Sequence, residues 1–266
     1  MDSELEFHAA LTALSWQVEL GADEALSETA ISRYEEKPAA PPTVAVPPRA
    51  TATEPPRPAP GSADKDAAVR DARQMSAAAQ SLDALRDAMA AYDHCELKRG
   101  AKNLVFADGR PGARVMIVGE APGRDEDIEG LPFVGRAGQL LDRMFAAIGL
   151  SRRSPDTEHA LYITNVMVWR PPQNREPSPQ EIAMLLPFLE RHIALADPEL
   201  LIIMGNTPLS ALLGTKGITR LRGEWAEVLG RPALPMFHPA YLLRTPSAKR
   251  EAWADLLSLQ ARLREK

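Results

Sequence analysis

The sequence predicts an α/β protein in which a mainly parallel sheet is covered by helices on both faces. Two observations carry this expectation. Short apolar runs recur from about residue 114 to residue 237, and between them lie longer stretches whose apolar residues repeat at helical spacing. The runs are continuously apolar, as in Val115-Met116-Ile117-Val118, which is the pattern of a strand buried in a doubly covered parallel sheet.

In chain order, residues 5–27 place Leu5, Phe7, Leu11, Leu14, Trp16, Leu20 and Leu26 at roughly helical intervals, interrupted at Gly21-Ala22. From Lys37 to Ala63, nine of the chain's 24 prolines are mixed with Ala, Thr and Arg, a composition that stays extended and buries nothing. A further helical stretch covers 67–91, with Ser81 as a candidate cap for a restart at Leu82. Alternation then sets in: strand 114–119, helix 136–149, strand 161–166, helix 179–196, strand 200–204, helix 207–213, strand near 225–229, strand 233–237 and helix 247–264. Ser178-Pro179-Gln180-Glu181 and Asn206-Thr207-Pro208 supply capping side chains and a first-turn proline, and Gly149 and Gly214 stand at or past helix ends. The expected organisation is an N-terminal helical segment over 1–36, a Pro/Ala-rich disordered linker over 37–66, and a folded domain over 67–266.

With 45% hydrophobic and 25% charged residues in 266, the chain has the composition of a soluble globular protein. No apolar run approaches the roughly 20 residues that span a bilayer, and the start, Met1-Asp2-Ser3-Glu4, is acidic where a signal peptide is basic. A cytoplasmic protein with no membrane partner is expected. The single cysteine, Cys95, excludes an intrachain disulfide and cannot alone supply a zinc or iron–sulfur site, so no metal is expected. The net charge of −5 hides an asymmetry: residues 1–90 hold 8 basic and 15 acidic residues, leaving 23 and 21 for residues 91–266. A core at +2 permits a basic groove if Arg170, Arg175, Arg220, Arg222, Arg244, Lys249 and Arg250 share a face.

The chemistry-bearing residues cluster at predicted strand ends. Gly119-Glu120-Ala121-Pro122-Gly123 sets a carboxylate in a tight turn where an open α/β sheet binds ligands, and Asp125, Glu126 and Asp127 follow as further acids. Phe133 offers an aromatic face to a flat ligand, or packs in the core. Asn165 closes the strand beginning Leu161-Tyr162-Ile163 with an amide able to pair with a donor and an acceptor on a planar heterocycle, or orders its own turn. Asn206-Thr207 begins a helix whose free amides suit a phosphate or simply a cap. His238, after the run Leu234-Pro235-Met236-Phe237 and before Pro239, offers a donor to charge developing on a leaving group, or is a structural histidine.

These motifs, in this order, resemble the bacterial family-4-like uracil-DNA glycosylases: Gly119–Gly123, the stretch from Gly130 through Phe133 to Leu141, Tyr162-Ile163-Thr164-Asn165, Arg170-Pro171-Pro172-Gln173-Asn174-Arg175, and His238-Pro239-Ala240-Tyr241-Leu242-Leu243-Arg244. The resemblance covers about residues 95–264. It implies a three-layer α/β/α fold and hydrolysis of the glycosidic bond of uracil flipped out of DNA, leaving an abasic site for base-excision repair. On that reading Gly119–Gly123, Phe133, Asn165 and His238 bind uracil. His238 and Glu120 are the catalytic pair, with Asp125, Glu126 and Asp127 as alternatives to Glu120 because Ala121 stands where related glycosylases carry an aspartate. Arg170, Arg175, Asn206, Leu242, Leu243 and Arg244 contact DNA, the leucines as a wedge in the minor groove.

Members of this type usually hold a four-iron four-sulfur cluster on four cysteines. Cys95 falls on one of those positions and Tyr92, Trp169 and Leu185 on the others, so a cluster-free, repacked site is expected. Val168 replaces a lysine common in the family. The rival expectations are a catalytically weak or inactive DNA-binding scaffold, a glycosylase for another deaminated base, and a nucleotide-binding hydrolase, which would need a Gly-rich loop with Lys that is absent. A monomer is expected, with the acidic N-terminal segment available to a repair or replication partner.

Overall fold

The computed structural model describes residues 62–265. The helical segment expected over 1–36 and the linker up to residue 61 lie outside the described residues.

The last of the clustered prolines is Pro60, and helix α1 begins at Ser62 and runs to Ala78, five residues inside the expected linker. The chain restarts at Ser81, whose hydroxyl accepts the Ala84 amide at 3.1 Å and so caps α2, Leu82–Ala91. A short α3, Leu97–Gly100, leads to the first strand, β1, Asp108–Gly109. Then follow β2 Val115–Gly119, α4 Arg124–Glu129, α5 Arg136–Ala146, β3 Leu161–Asn165, α6 Pro179–Ala196, β4 Leu200–Met204, α7 Asn206–Leu213, α8 Ile218–Leu221, β5 Ala226–Val228, β6 Arg231–Met236, α9 Pro239–Arg244 and α10 Lys249–Arg264.

The six strands form one sheet in the order β1-β3-β2-β4-β6-β5. The four inner strands are parallel, and the two-residue β1 and three-residue β5 close the edges antiparallel. Every residue of β2, β3 and β4 is buried, because alternate side chains enter different cores. Met116, Val118, Tyr162, Leu201 and Ile203 share a cluster with Leu85 of α2, Leu185 and Phe188 of α6 and Leu209 of α7. Val115, Ile117, Leu161, Ile163, Leu200, Ile202 and Leu234 share another with Leu141 and Phe145 of α5 and Leu256 and Leu259 of α10. These are the three layers, helices on each face of a sheet.

The periodicity missed the edge strand β1 and the helices α3, α4, α8 and α9. All are six residues or shorter, too brief for a repeat to register. No helix among the described residues is long and apolar enough to cross a membrane.

Candidate active site

The chain leaves β2 toward α5 on one face and leaves β4 toward α7 on the other, so a crevice opens between the carboxyl ends of these neighbouring strands. Gly119 of β2 is level with Asn165 of β3, and Met204 of β4 with Met236 of β6. Register therefore delivers Glu120, Asn165, Gly205-Asn206 and His238 to one edge. Together with Ala121, Pro122, Gly123 and Phe133 they line a cleft of about 730 Å³.

His238 caps α9 with its ring: Nδ1 accepts the Ala240 amide at 3.1 Å. An imidazole whose Nδ1 is an acceptor carries its proton on Nε2, so the neutral ring has one donor left. Burial, helped by the charge of Arg244, pulls its pKa down to about 4. The ring stacks on Phe133, with centroids 5.4 Å apart and planes at 28°.

Asn165 is 3% exposed, and its Oδ1 is buried with no hydrogen-bond partner among the described residues. A buried carbonyl oxygen left unpaired costs about 1–3 kcal/mol, which marks it as an acceptor for something that enters the cleft. Gly119 lies beneath it. A Cβ there would collide with Asn165 Oδ1 and with the Phe133 ring, so only glycine lets the amide and ring close over this strand end. Phe133 itself holds φ at 55°, an αL conformation that costs a bulky residue roughly 1–3 kcal/mol.

The four acids separate by what they already hold. Glu126 accepts the amides of Gly123, Val134 and Gly135 at 2.9–3.0 Å. Asp127 accepts those of Lys102 and Asn103 at 2.8 and 3.2 Å. Both carboxylates are thereby committed to the backbone. Glu120 takes one hydrogen bond, from the Thr207 hydroxyl at 2.6 Å to Oε2, across the gap between β2 and β4. Asp125 is exposed and lines the cleft.

Of the residues expected at DNA, Arg175 and Arg244 line the cleft beside Arg124 and Arg136, which sequence reasoning passed over. Arg175 is paired with Glu181 through two bonds of 2.6 and 2.9 Å. Arg170 lies outside the lining, with Nε on Asn174 at 2.8 Å. Asn206 reaches the cleft, but its Oδ1 accepts the amides of Gly217 and Ile218 at 3.1 and 3.0 Å. Leu242 is 1% exposed and packs in the core, while Leu243 is half-buried and Arg244 exposed. Of the expected leucine wedge only Leu243 has any outward surface, because one turn of α9 must anchor the other leucine. The Thr207 contact with Glu120 and the whole of Arg152 escaped the sequence, since their partners are distant along the chain.

At the positions matched to cluster cysteines, Tyr92, Cys95, Trp169 and Leu185 are all buried in one apolar cluster. The Tyr92 hydroxyl donates to the Ala68 carbonyl at 2.9 Å, and burial pushes the Cys95 thiol up to about 11. Val168 is buried in the same cluster. No group of three or more His, Cys, Asp or Glu side chains among the described residues is gathered to hold a metal ion.

The arrangement offers an aromatic ring, a carboxamide with an unpartnered oxygen, a neutral imidazole donor and a carboxylate in one cleft. A profile of the uracil DNA glycosylase superfamily matches residues 106–257. The type-4 uracil-DNA glycosylase of Thermotoga maritima is 40% identical over 156 residues, covering 58% of this chain and 78% of that protein. Those of Archaeoglobus fulgidus and Saccharolobus solfataricus are each 35% identical, over 185 and 196 residues, covering 66% and 70% of this chain and 90% and 88% of theirs.

Proposed function

The chain belongs to the uracil DNA glycosylase superfamily, and from that premise we propose that it is a uracil-DNA glycosylase whose base pocket is the cleft at the strand ends. The observation that carries the pocket assignment is the unpartnered Oδ1 of Asn165. Uracil presents an N3–H donor beside the O4 acceptor, the complement of an amide's oxygen and NH₂. Cytosine presents N3 as an acceptor and an amino donor, and so leaves the amide mismatched. Phe133 supplies the face on which the flipped base stacks.

Hydrolysis breaks the bond between uracil N1 and the sugar C1′ while water oxygen bonds to C1′. The electron pair of the broken bond leaves on the base, delocalised onto its carbonyl oxygen. The neutral His238, with its proton on Nε2, donates to that oxygen as charge develops. The water's proton goes to a carboxylate, for which we take Glu120, held by the Thr207 hydroxyl; Glu126 and Asp127 are committed to backbone amides, which leaves Asp125 at the cleft as the alternative. Arg124, Arg136, Arg175 and Arg244 at the cleft suit DNA phosphates, and Leu243 is the residue of the pair suited to fill the space the base leaves.

An iron–sulfur cluster does not fit the residues present. One cysteine, with a tyrosine, a tryptophan and a leucine at the other positions, offers one sulfur where four are needed. We therefore assign no metal role to this corner, and iron and acid-labile sulfide assays on purified protein check it. The reading further takes the protein as a cytoplasmic monomer in which the acidic segment 1–36 is tethered by 37–61 to reach a repair or replication partner. The catalytic test is excision from oligonucleotides carrying one uracil, single-stranded and opposite guanine or adenine, with His238→Ala alongside to expose a contaminating host enzyme. Strand scission after alkali by wild type and its loss in the variant supports the assignment. A folded, DNA-binding protein with no scission on any of the three substrates sinks it.

A further inference from the structure

We propose that Arg152 is a positioning residue for the stacking ring: together with Glu126 it holds the Phe133 backbone in the left-handed turn that sets the ring against His238. The inference rests on the reading of Phe133 as the base-stacking residue.

Arg152 follows Ser151, well before β3 begins, and is buried at 9% exposure. Its guanidinium donates to two consecutive backbone carbonyls, from Nη1 to Pro132 O at 2.8 Å and from Nη2 to Phe133 O at 3.1 Å. Nη1 also meets Asp108 of β1 at 2.9 Å and Nε meets Asp142 of α5 at 2.8 Å. Two carboxylates thus fix the planar fork, and the fork fixes the carbonyls. From the other side, Glu126 Oε1 takes the next two amides, Val134 and Gly135, at 3.0 and 2.9 Å. Its Oε2 takes the Gly123 amide at 3.0 Å, tying this turn to the Gly119–Gly123 loop.

The backbone polar groups flanking Phe133 are therefore gripped by a cation and an anion from different elements. A third constraint is steric: the Phe133 carbonyl lies so close to α5 that a Cβ on Gly138 would overlap it. A phenylalanine at φ 55° persists only where its surroundings over-determine it. The ring so held lies 5.4 Å from the His238 ring, which makes the clamp a determinant of where a base sits relative to its leaving-group donor. A buried arginine with only a structural role would lower stability and leave chemistry per folded molecule untouched.

The test is a double-mutant cycle on single-turnover excision of uracil from a single-stranded oligonucleotide, with inhibition by free uracil as a second readout. Both are measured well below the melting temperature of the least stable variant. Arg152→Met is expected to slow excision roughly 10–100-fold, the scale at which displaced catalytic geometry is felt, and to weaken free-uracil inhibition. Arg152→Lys is expected to recover part of the loss. In a Phe133→Ala background the same Arg152→Met change is expected to add less than about twofold, because its effect passes through the missing ring. Asp142→Asn loosens the fork without burying an unpaired charge, and it carries the cycle if Arg152→Met fails to fold. Full multiplication of the two losses, or wild-type excision and uracil inhibition by a folded Arg152→Met, overturns the clamp. Wild-type excision by Phe133→Ala instead removes the stacking reading on which the clamp depends.

Discussion

At the carboxyl edge of the sheet the Asn165 carbonyl oxygen is buried without a partner, whereas in the corner where α1, α2 and α6 pack together the Tyr92 hydroxyl is buried and donates to Ala68 O. Both regions lie inside the same 204-residue stretch, 62–265. They differ in what they leave undone. The cleft holds an orphaned acceptor and a left-handed phenylalanine, each of which lowers stability, and a histidine pulled to about 4, which lowers it only in acid; each is a feature that a flat polar ligand could use. The corner holds apolar side chains among which the buried polar groups, the Tyr92 and Ser76 hydroxyls and the His192 ring, are hydrogen-bonded, a pattern that stabilises the fold and offers nothing to a ligand. The difference teaches where function sits: among the described residues, the buried side-chain polar atom left without a hydrogen-bond partner is at a strand end.

The sharpest way to break the comparison is His238→Ala. If the Nε2–H meets charge that develops only in the transition state, kcat falls roughly 10²–10³-fold, read from single-turnover excision. Loss confined to KM would make His238 a base-binding group and not a stabiliser of the leaving group.

Acid separates the regions next. An unfolded histidine titrates near 6.5, whereas burial lowers His238 to about 4 and His192, stacked on Phe106 and bonded to Tyr162, to about 3. Between those values and 6.5 the unfolded chain binds protons that the folded chain does not. Stability is therefore complete above about pH 6.5 and is lost as pH falls toward 4 and then 3. At pH 5 each ring costs about 2 kcal/mol relative to pH 7. Urea unfolding at the two values measures the sum, and His238→Ala is expected to remove about half of the difference.

Asn165→Leu sharpens the trade directly. Replacing an orphaned amide with an apolar side chain removes an unsatisfied acceptor, so stability in urea is expected to hold or rise, while excision falls on the order of 10–100-fold with the lost base contacts. A drop in stability with activity intact would make Asn165 a core residue.

How far these features could be read from sequence follows the same division. The inner strands and long helices were legible because a doubly covered strand must be continuously apolar and a helix of eleven or more residues repeats its pattern. The residues at strand ends were legible as candidates, since position after a buried run is a sequence property. Which of them were available was not. Glu126 and Asp127 are indistinguishable from Glu120 in the run Glu120 to Asp127, and only the fold reveals that the first two hold backbone amides. Leu242 and Leu243 likewise differ only in which side of a six-residue helix meets the core. Thr207 reaches Glu120 across 87 positions and Arg152 reaches Phe133 across 19, contacts to which no local pattern points.

The smallest expected effect falls on the corner around Tyr92. Tyr92→Phe keeps the ring and its edge contact with Phe188 at 5.3 Å, and deletes only the donor to Ala68 O. The carbonyl left behind belongs to α1, so the change tests whether that helix is fastened by the hydroxyl. A loss of about 1 kcal/mol in urea unfolding is expected, the worth of one buried hydrogen bond, with excision within about twofold of wild type because no group of the cleft moves. Loss of excision without loss of stability would mean that this corner, apolar as it is, communicates with the strand ends, and the two regions could no longer be treated as separate.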